Sequence, residues 1–249
     1  MRATRYFVLG SLYFLLAVPS SFAQSRPARN QSNHVDDDLV DVGDLQMPAK
    51  AKQALAKAYA YLRKGDPKAA LPYVEKSMAL APRSFYPYHN LGLAQLQLGN
   101  LEAAEENFNK AVALSKGKTG YPYFGLALVH LQRREFSEGQ SLAEQGIVLS
   151  PNAAVGKYCL ALFQYFAGRL AEAERNANEA LRLVPNSPGV HLLLAYIHER
   201  IQKSEAAMAE IELCLKSNPS ATVRAEALVL LQRVREENTG SAVGANGMD

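Results

Sequence analysis

The sequence predicts an all-α fold, a solenoid of stacked helix pairs, and three observations carry that prediction. Prolines recur in a fixed register: Pro82, Pro151, Pro185 and Pro219 lie 69, 34 and 34 residues apart, the first interval being two units long. Each unit holds two amphipathic stretches of helical period divided by a short turn. Composition supplies the means to bury them, with 48% hydrophobic and 20% charged residues in a chain of 249.

The chain opens with a leader. Arg2 and Arg5 precede an apolar stretch from Tyr6 to Val18, followed by Pro19 and the ending Ser21-Phe22-Ala23. That layout reads as a signal peptide over residues 1–23, cleaved near Ala23, because the stretch is shorter than the ~20 apolar residues a spanning helix needs. The expectation is an exported, periplasmic chain with no transmembrane anchor after cleavage. Residues 24–49 are polar and acidic and read as a flexible linker. Within them, the stretch from His34 to Pro48 sets Asp36, Asp37, Asp38, Asp41 and Asp44 among Leu39, Val40, Val42, Leu45 and Met47, with no base between Arg29 and Lys50. Such a run is either a solvated tail or a segment that docks on the folded part or on a partner.

Five units follow, over residues 51–84, 85–118, 120–153, 154–187 and 188–221. Their internal turns are Gly65-Asp66-Pro67, Gly99-Asn100, Arg134-Glu135, Gly168-Arg169 and Gln202-Lys203-Ser204. Glycine tolerates the left-handed conformation that ends a first helix, and Asp66, Asn100 and Ser204 are expected to accept bonds from free amides of the second. Pro67 fits the first helical turn, where its missing donor costs nothing. Beyond the last unit, Val223, Ala227, Leu230, Leu231 and Val234 form an apolar stripe at helical spacing, which predicts a capping helix over 220–237. Residues 238–249 are rich in Gly and Ser and are expected to be disordered.

Small and large residues recur at matching positions of the units. Unit one has Ala58, Tyr61, Ala70 and Val74; unit two has Tyr88, Gly92, Ala104 and Phe108; unit three has Tyr123, Ala127 and Gly146; unit four has Ala161, Ala173 and Ala180; unit five has Ala195, Ala207 and Ile211. On these residues the chain resembles the tetratricopeptide repeat, a 34-residue helix-turn-helix, over about 51–219. The resemblance implies a right-handed superhelical solenoid of five such units plus the capping helix. Departures are Lys116 in place of a proline, and Gln95, His130, Gln164 and His198 in an aromatic slot late in the first helix.

The resemblance also implies a concave face, lined by the first helices, that binds an extended or helical segment of another protein. The residues it places there are Tyr59, Tyr86, His89, Leu93, Tyr121, Phe124, Leu128, Tyr158, Leu162, Tyr165 and Tyr196. Either this aromatic band is a partner groove, or tight curvature buries it between adjacent first helices. A subclass of the family grips carboxylate termini with Lys and Asn, and only Asn90 matches it. Binding of acidic chaperone tails is therefore not expected.

Other chemistries lack a signature. With the leader removed, 25 bases face 24 acids, a net of +1 that gives no nucleic-acid footprint. No metalloprotease, hydrolase, phosphate-loop or dinucleotide motif occurs, so neither catalytic residue, cofactor nor metal is expected. His191 and His198 fall in core slots, and Cys159 and Cys214 lie on elements not adjacent in a regular stack, which predicts buried thiols without a disulfide. The expected role is a non-catalytic scaffold or assembly factor of the cell envelope. Its rivals are a holdase-like accessory chaperone and a structural or oligomerisation module whose groove is self-occupied.

Overall fold

The computed structural model describes residues 47–245, of which 239–245 by backbone alone. The leader, most of the 24–49 linker with its acidic run, and the last four residues lie outside the described residues. Among the described residues eleven helices follow one another: α1 (Ala49–Lys64), α2 (Pro67–Leu80), α3 (Phe85–Gln97), α4 (Leu101–Ser115), α5 (Tyr121–Arg133), α6 (Phe136–Leu149), α7 (Ala154–Phe166), α8 (Leu170–Leu183), α9 (Pro188–Arg200), α10 (Ser204–Lys216) and α11 (Ala221–Ala245). From α1 to α10, odd-numbered helices are the first, and even-numbered helices the second, of the five pairs. Each packs on its sequence neighbour, and each first helix also touches the first helix of the next unit.

All five turns share one backbone device. Gly65, Gly99 and Gly168 take φ of 75°, 80° and 77°, and the equivalent positions in units three and five, Arg134 and Gln202, adopt the same left-handed state at 67° and 59°. The register demands that conformation whether or not glycine is present. Where unit two lacks its proline, Lys116 and Gly117 are both left-handed, and this double reversal ends α4 instead. Asp66 caps α2 as expected, accepting from the Ala69 amide at 3.0 Å. Asn100 does not cap α4, because its amide donates to Gln95 at 2.8 Å, and Ser204 lies one residue inside α10.

Helix pairs approach through absent side chains. A Cβ on Gly92 would stand 2.7 Å from the Phe108 ring, and one on Gly125 of the next unit would meet the same ring. Phe108 thus fills two small slots at once and is fully buried. Phe124 likewise lies against Gly146 and Gly156, and Phe163 against Gly139. Gly120 faces the Gly146 carbonyl so closely that any side chain there would collide with backbone.

The polar residues of the late aromatic slot find partners across the turn. His130 Nδ1 lies 2.7 Å from Glu135, Gln164 bonds Glu172 and Asn176, and His198 Nε2 lies 3.2 Å from Glu174 of the preceding unit. Successive first helices are also stitched by backbone acceptors. Gln97 donates to the Leu62 carbonyl at 3.2 Å, and Arg200, at the same register in unit five, to that of Tyr165 at 2.9 Å.

Both boundaries of the array differ from expectation. The fold begins earlier than residue 51, since Met47 is buried against Ala51, Leu55 and Ala81. The last helix passes residue 237 and continues to Ala245, because extending a formed helix adds one hydrogen bond per residue and no proline intervenes.

Phe108→Ala should lower stability by about 3–5 kcal/mol through its cavity, and Gly125→Ala by about 1–3 kcal/mol through overpacking. In the double variant the new methyl enters the vacated space, so denaturant melts should show a cost well below the sum of the two. Additive costs would mean that the two residues do not share one contact.

Candidate functional site

The eleven residues expected on the concave face are brought together on the first helices, but most of them are not open to solvent. His89, Phe124, Leu128, Tyr158 and Leu162 are 0% exposed, and Leu93, Tyr165 and Tyr196 are buried too. Tyr59, Tyr86 and Tyr121 are half-buried. An open aromatic groove along the whole array is therefore corrected to a face whose exposed part lies at its N-terminal end, on α1, α3 and α5. The physical reason is curvature. First helices touch one another, and the array bends until the turn after α1 meets the start of α11: a Cβ on Gly65 would sit 3.4 Å from the Ser220 Cβ.

Several of these side chains have structural duties. His89 packs on the rings of Phe108 and Tyr121, with centroids 5.5 and 6.4 Å away. Tyr165 lies under the Arg200 guanidinium, 5.2 Å from its centroid. Tyr59 has Arg63 above its ring, and burial raises its hydroxyl pKa. Asn90 donates to the Tyr86 carbonyl of its own helix at 3.0 Å, which commits its amide locally.

The charges divide between the two kinds of helix. α1 carries Lys50, Lys52, Lys57, Arg63 and Lys64 with no acid, α3 carries no Lys, Arg, Asp or Glu, and α5, α7 and α9 add Arg133, Lys157 and Arg200 against the single acid Glu199. The second helices, α2 to α10, together hold twelve acids and six bases. Pairs across this divide, such as Arg133 with Glu105 at 2.6 Å and Lys157 with Glu179 at 2.9 Å, neutralise part of the positive layer. The positive character of the first-helix layer is greatest on α1.

The profile of the tetratricopeptide repeat family matches residues 55–119 and 159–222. The chain belongs to the tetratricopeptide repeat family. Among solved structures, this repeat protein is similar to TTC0263, a thermophilic TPR protein of Thermus thermophilus, with a TM-score of 0.62 at 21% identity over 73% of this chain and 99% of that one. It is also similar to pilF of Pseudomonas aeruginosa, with a TM-score of 0.54 at 18% identity over 79% and 88% of the two chains. At these identities the likeness shows the fold alone. A curated relative, the tetratricopeptide repeat and J domain-containing co-chaperone DNJ1 of Fusarium oxysporum f. sp. lycopersici, is 24% identical over 188 residues. The match covers 72% of this chain and spans 36% of that relative's length.

The far end of the repeat array holds a polar seam that sequence reasoning missed. Glu226 on α11 sits within the apolar stripe of the cap and is only 4% exposed. It accepts a bond from the Tyr196 hydroxyl at 3.2 Å, while Arg233 of the same helix lies over the Tyr196 ring and pairs with Glu199. Burial lifts the Glu226 carboxyl to about 8, partly opposed by the bond from Tyr196, and the same burial pushes the Tyr196 hydroxyl up. Tyr196 is thus an anchor for the cap. The thiols of Cys159 and Cys214 are both buried and unpaired with each other, the latter raised to about 12 by burial. His191 bridges Glu210 at 2.7 Å and the Pro185 carbonyl at 3.1 Å. Among the described residues no helix is long and apolar enough to cross a membrane.

The seam has a pH signature. Between about 4.5 and about 8 the folded state holds a proton on Glu226 that the unfolded chain has released. Stability must therefore fall as pH rises through that window. Glu226→Gln, which keeps an acceptor for Tyr196 without the charge, should flatten this slope and raise the melting temperature at pH 8 by roughly 5 °C or more. Melts from pH 5 to 8.5 that show the same slope for both proteins would place the titration elsewhere.

Proposed function

We propose that this protein is an exported, non-catalytic scaffold of the cell envelope that holds an extended or helical apolar segment of another protein against its first helices. The observation that carries the reading is the conjunction of half-buried Tyr59, Tyr86 and Tyr121 with the acid-free helix α1 at one end of that face. Tyrosine offers a large contact area with a polar tip and little rotamer entropy to lose. Neighbouring bases add attraction for a segment with acidic flanks. A preordered surface limits the entropy lost on association. Export rests on the leader over residues 1–23.

A holdase-like accessory chaperone is a second reading, favoured by the co-chaperone relative. The two differ in breadth, one partner against many unfolded chains.

Site-specific photo-crosslinking in the native envelope separates them, with the probe replacing Tyr121 and, as control, Arg182 on the exposed outer side. The scaffold reading expects one discrete adduct at position 121 and none at 182. A smear of many clients at 121 would favour the chaperone. Equal capture at both positions would remove the first-helix face as the binding site.

A further inference from the structure

We infer that one rim of the solenoid, the edge made by the ends of the second helices, the loops between units and the starts of the first helices, docks on an anionic lipid surface. Lipid docking at this rim does not depend on a protein partner at the first helices, so either role can fail alone.

The topology defines two rims. Helices joined by short turns pack antiparallel, so every first helix runs one way and every second helix the other. The turns within units therefore lie on one rim and the loops between units on the opposite one. These rims differ in charge. On the between-unit rim, the loops with the four helical residues on either side are residues 49–52, 77–88, 112–124, 146–157, 180–191 and 213–224, and they hold nine Lys or Arg and no Asp or Glu. The corresponding residues of the other rim, 61–70, 94–104, 130–139, 163–173 and 197–207, hold eight bases and seven acids. Two of the nine are paired, Lys157 with Glu179 at 2.9 Å and Lys216 with Glu212 at 3.5 Å, while Arg83, Lys116, Lys118 and Arg182 are exposed. The acid-free rim is thus positive along its length.

Apolar tips stand among these bases. Of the nine large hydrophobic side chains exposed among the described residues, six lie on this rim, namely Leu80, Val148, Leu149, Leu183, Val184 and Leu213, although it supplies only about a third of those residues. Leu80, Leu114, Leu149 and Leu183 recur at one register, 34, 35 and 34 residues apart, so the repeat itself builds the row. Val148 beside it is 81% exposed. Single exposed hydrophobics need no explanation, but a row of them among bases on an acid-free edge does. Attachment to a membrane surface grows with the apolar area that enters the headgroup layer and with the attraction of bases for anionic lipid. This rim offers both, and docking of this kind needs no spanning helix. A nucleic acid would use the bases and leave Val148 and Leu183 in water. Separate tips along an outer edge also give a protein partner no pocket for an anchor, whereas lipid headgroups part around each tip.

The test is flotation with vesicles, using the chain from Gln24 onward so that the apolar leader cannot itself partition. At about 0.1 M salt, phosphatidylcholine vesicles holding about 30% phosphatidylglycerol should carry the protein at least about tenfold better than phosphatidylcholine alone, a gain that about 0.5 M salt should largely remove. Arg83→Gln, Lys118→Gln and Arg182→Gln together should cut binding about tenfold or more. Lys64→Gln, Lys68→Gln and Lys203→Gln remove the same charge from the other rim and should change binding by less than about twofold, because a 13-residue helix, about 20 Å long, separates the rims by more than the screening length. All six side chains are exposed, so thermal melts should be the same for both triple variants. A polarity-sensitive dye attached through Val148→Cys should shift to the blue on binding, and one attached through Lys203→Cys should not; the native thiols are buried and escape labelling. Equal losses from the two triple variants, equal capture by neutral vesicles, or an unshifted dye at position 148 would each overturn the inference. So would binding of duplex DNA or of polyglutamate without capture by anionic vesicles, which would assign the rim to a nucleic acid or to an acidic protein.

Discussion

The close approach of helices through missing side chains is the constraint on which the rest of this molecule depends. Phe108 occupies the space that Gly92 of its own unit and Gly125 of the next leave empty, so one ring fixes both the pair and the stack. Phe124 repeats the arrangement with Gly146 and Gly156 one unit further on. Because interiors are packed to crystal-like density, an added methyl at these sites has nowhere to go without moving its neighbours. First helices held this close also bury one another. The near-complete burial of Leu128, Tyr158 and Leu162 is thus a consequence of the same contacts that set the register.

Periodicity made the helices and their order readable, since Pro82, Pro151, Pro185 and Pro219 and the five turns locate every pair without reference to tertiary contacts. It did not reveal the accessibility of the face. A repeat pattern says which residues point inward and nothing about how tightly the array curves, and curvature decides whether Tyr158 is a surface or a core residue. Local chemistry was misread where two roles competed: Asn100 serves Gln95 instead of capping α4. Glu226 had no signal, because a single acid in an apolar stripe has the same sequence signature whether it turns to solvent or is paired with a tyrosine from another helix. The aromatic slot is instructive in the opposite sense. Its histidines and glutamines look like defects in isolation, yet His198 and Gln164 each reach a partner on a second helix.

Electrostatics reinforces the layering that packing creates. Bases on first helices and acids on second helices attract within and between units: Lys157 pairs with Glu179 of its own unit and Arg133 with Glu105 of the preceding one, at half-buried sites. Exposed ion pairs contribute little, so these are better regarded as setting orientation than as the source of stability. What the division does determine is the uneven spread of charge between the two helix layers. The bases of the first helices gather on α1, which carries five of them and no acid.

The two ends of the array are closed by different means, and this gives them different local stability. At the C-terminal end, Val223, Ala227, Leu230 and Val234 of α11 belong to the main core, and the Tyr196–Glu226 bond adds a polar contact that only one seating of the helix can satisfy. At the other end Met47, Ala51 and Ala81 form a cluster apart from that core, with Leu55 packed on it. Local stability follows the amount of apolar surface joined to the cooperative core, so elements tied to a small satellite cluster open at lower cost than those inside it. Met47 and the first turn of α1 are accordingly the parts whose opening disturbs the rest least. α1 itself carries five bases and Tyr59, one of the three half-buried tyrosines. Opening at this end leaves the remaining four units packed, a condition that the C-terminal end, whose cap is joined to the main core, does not meet.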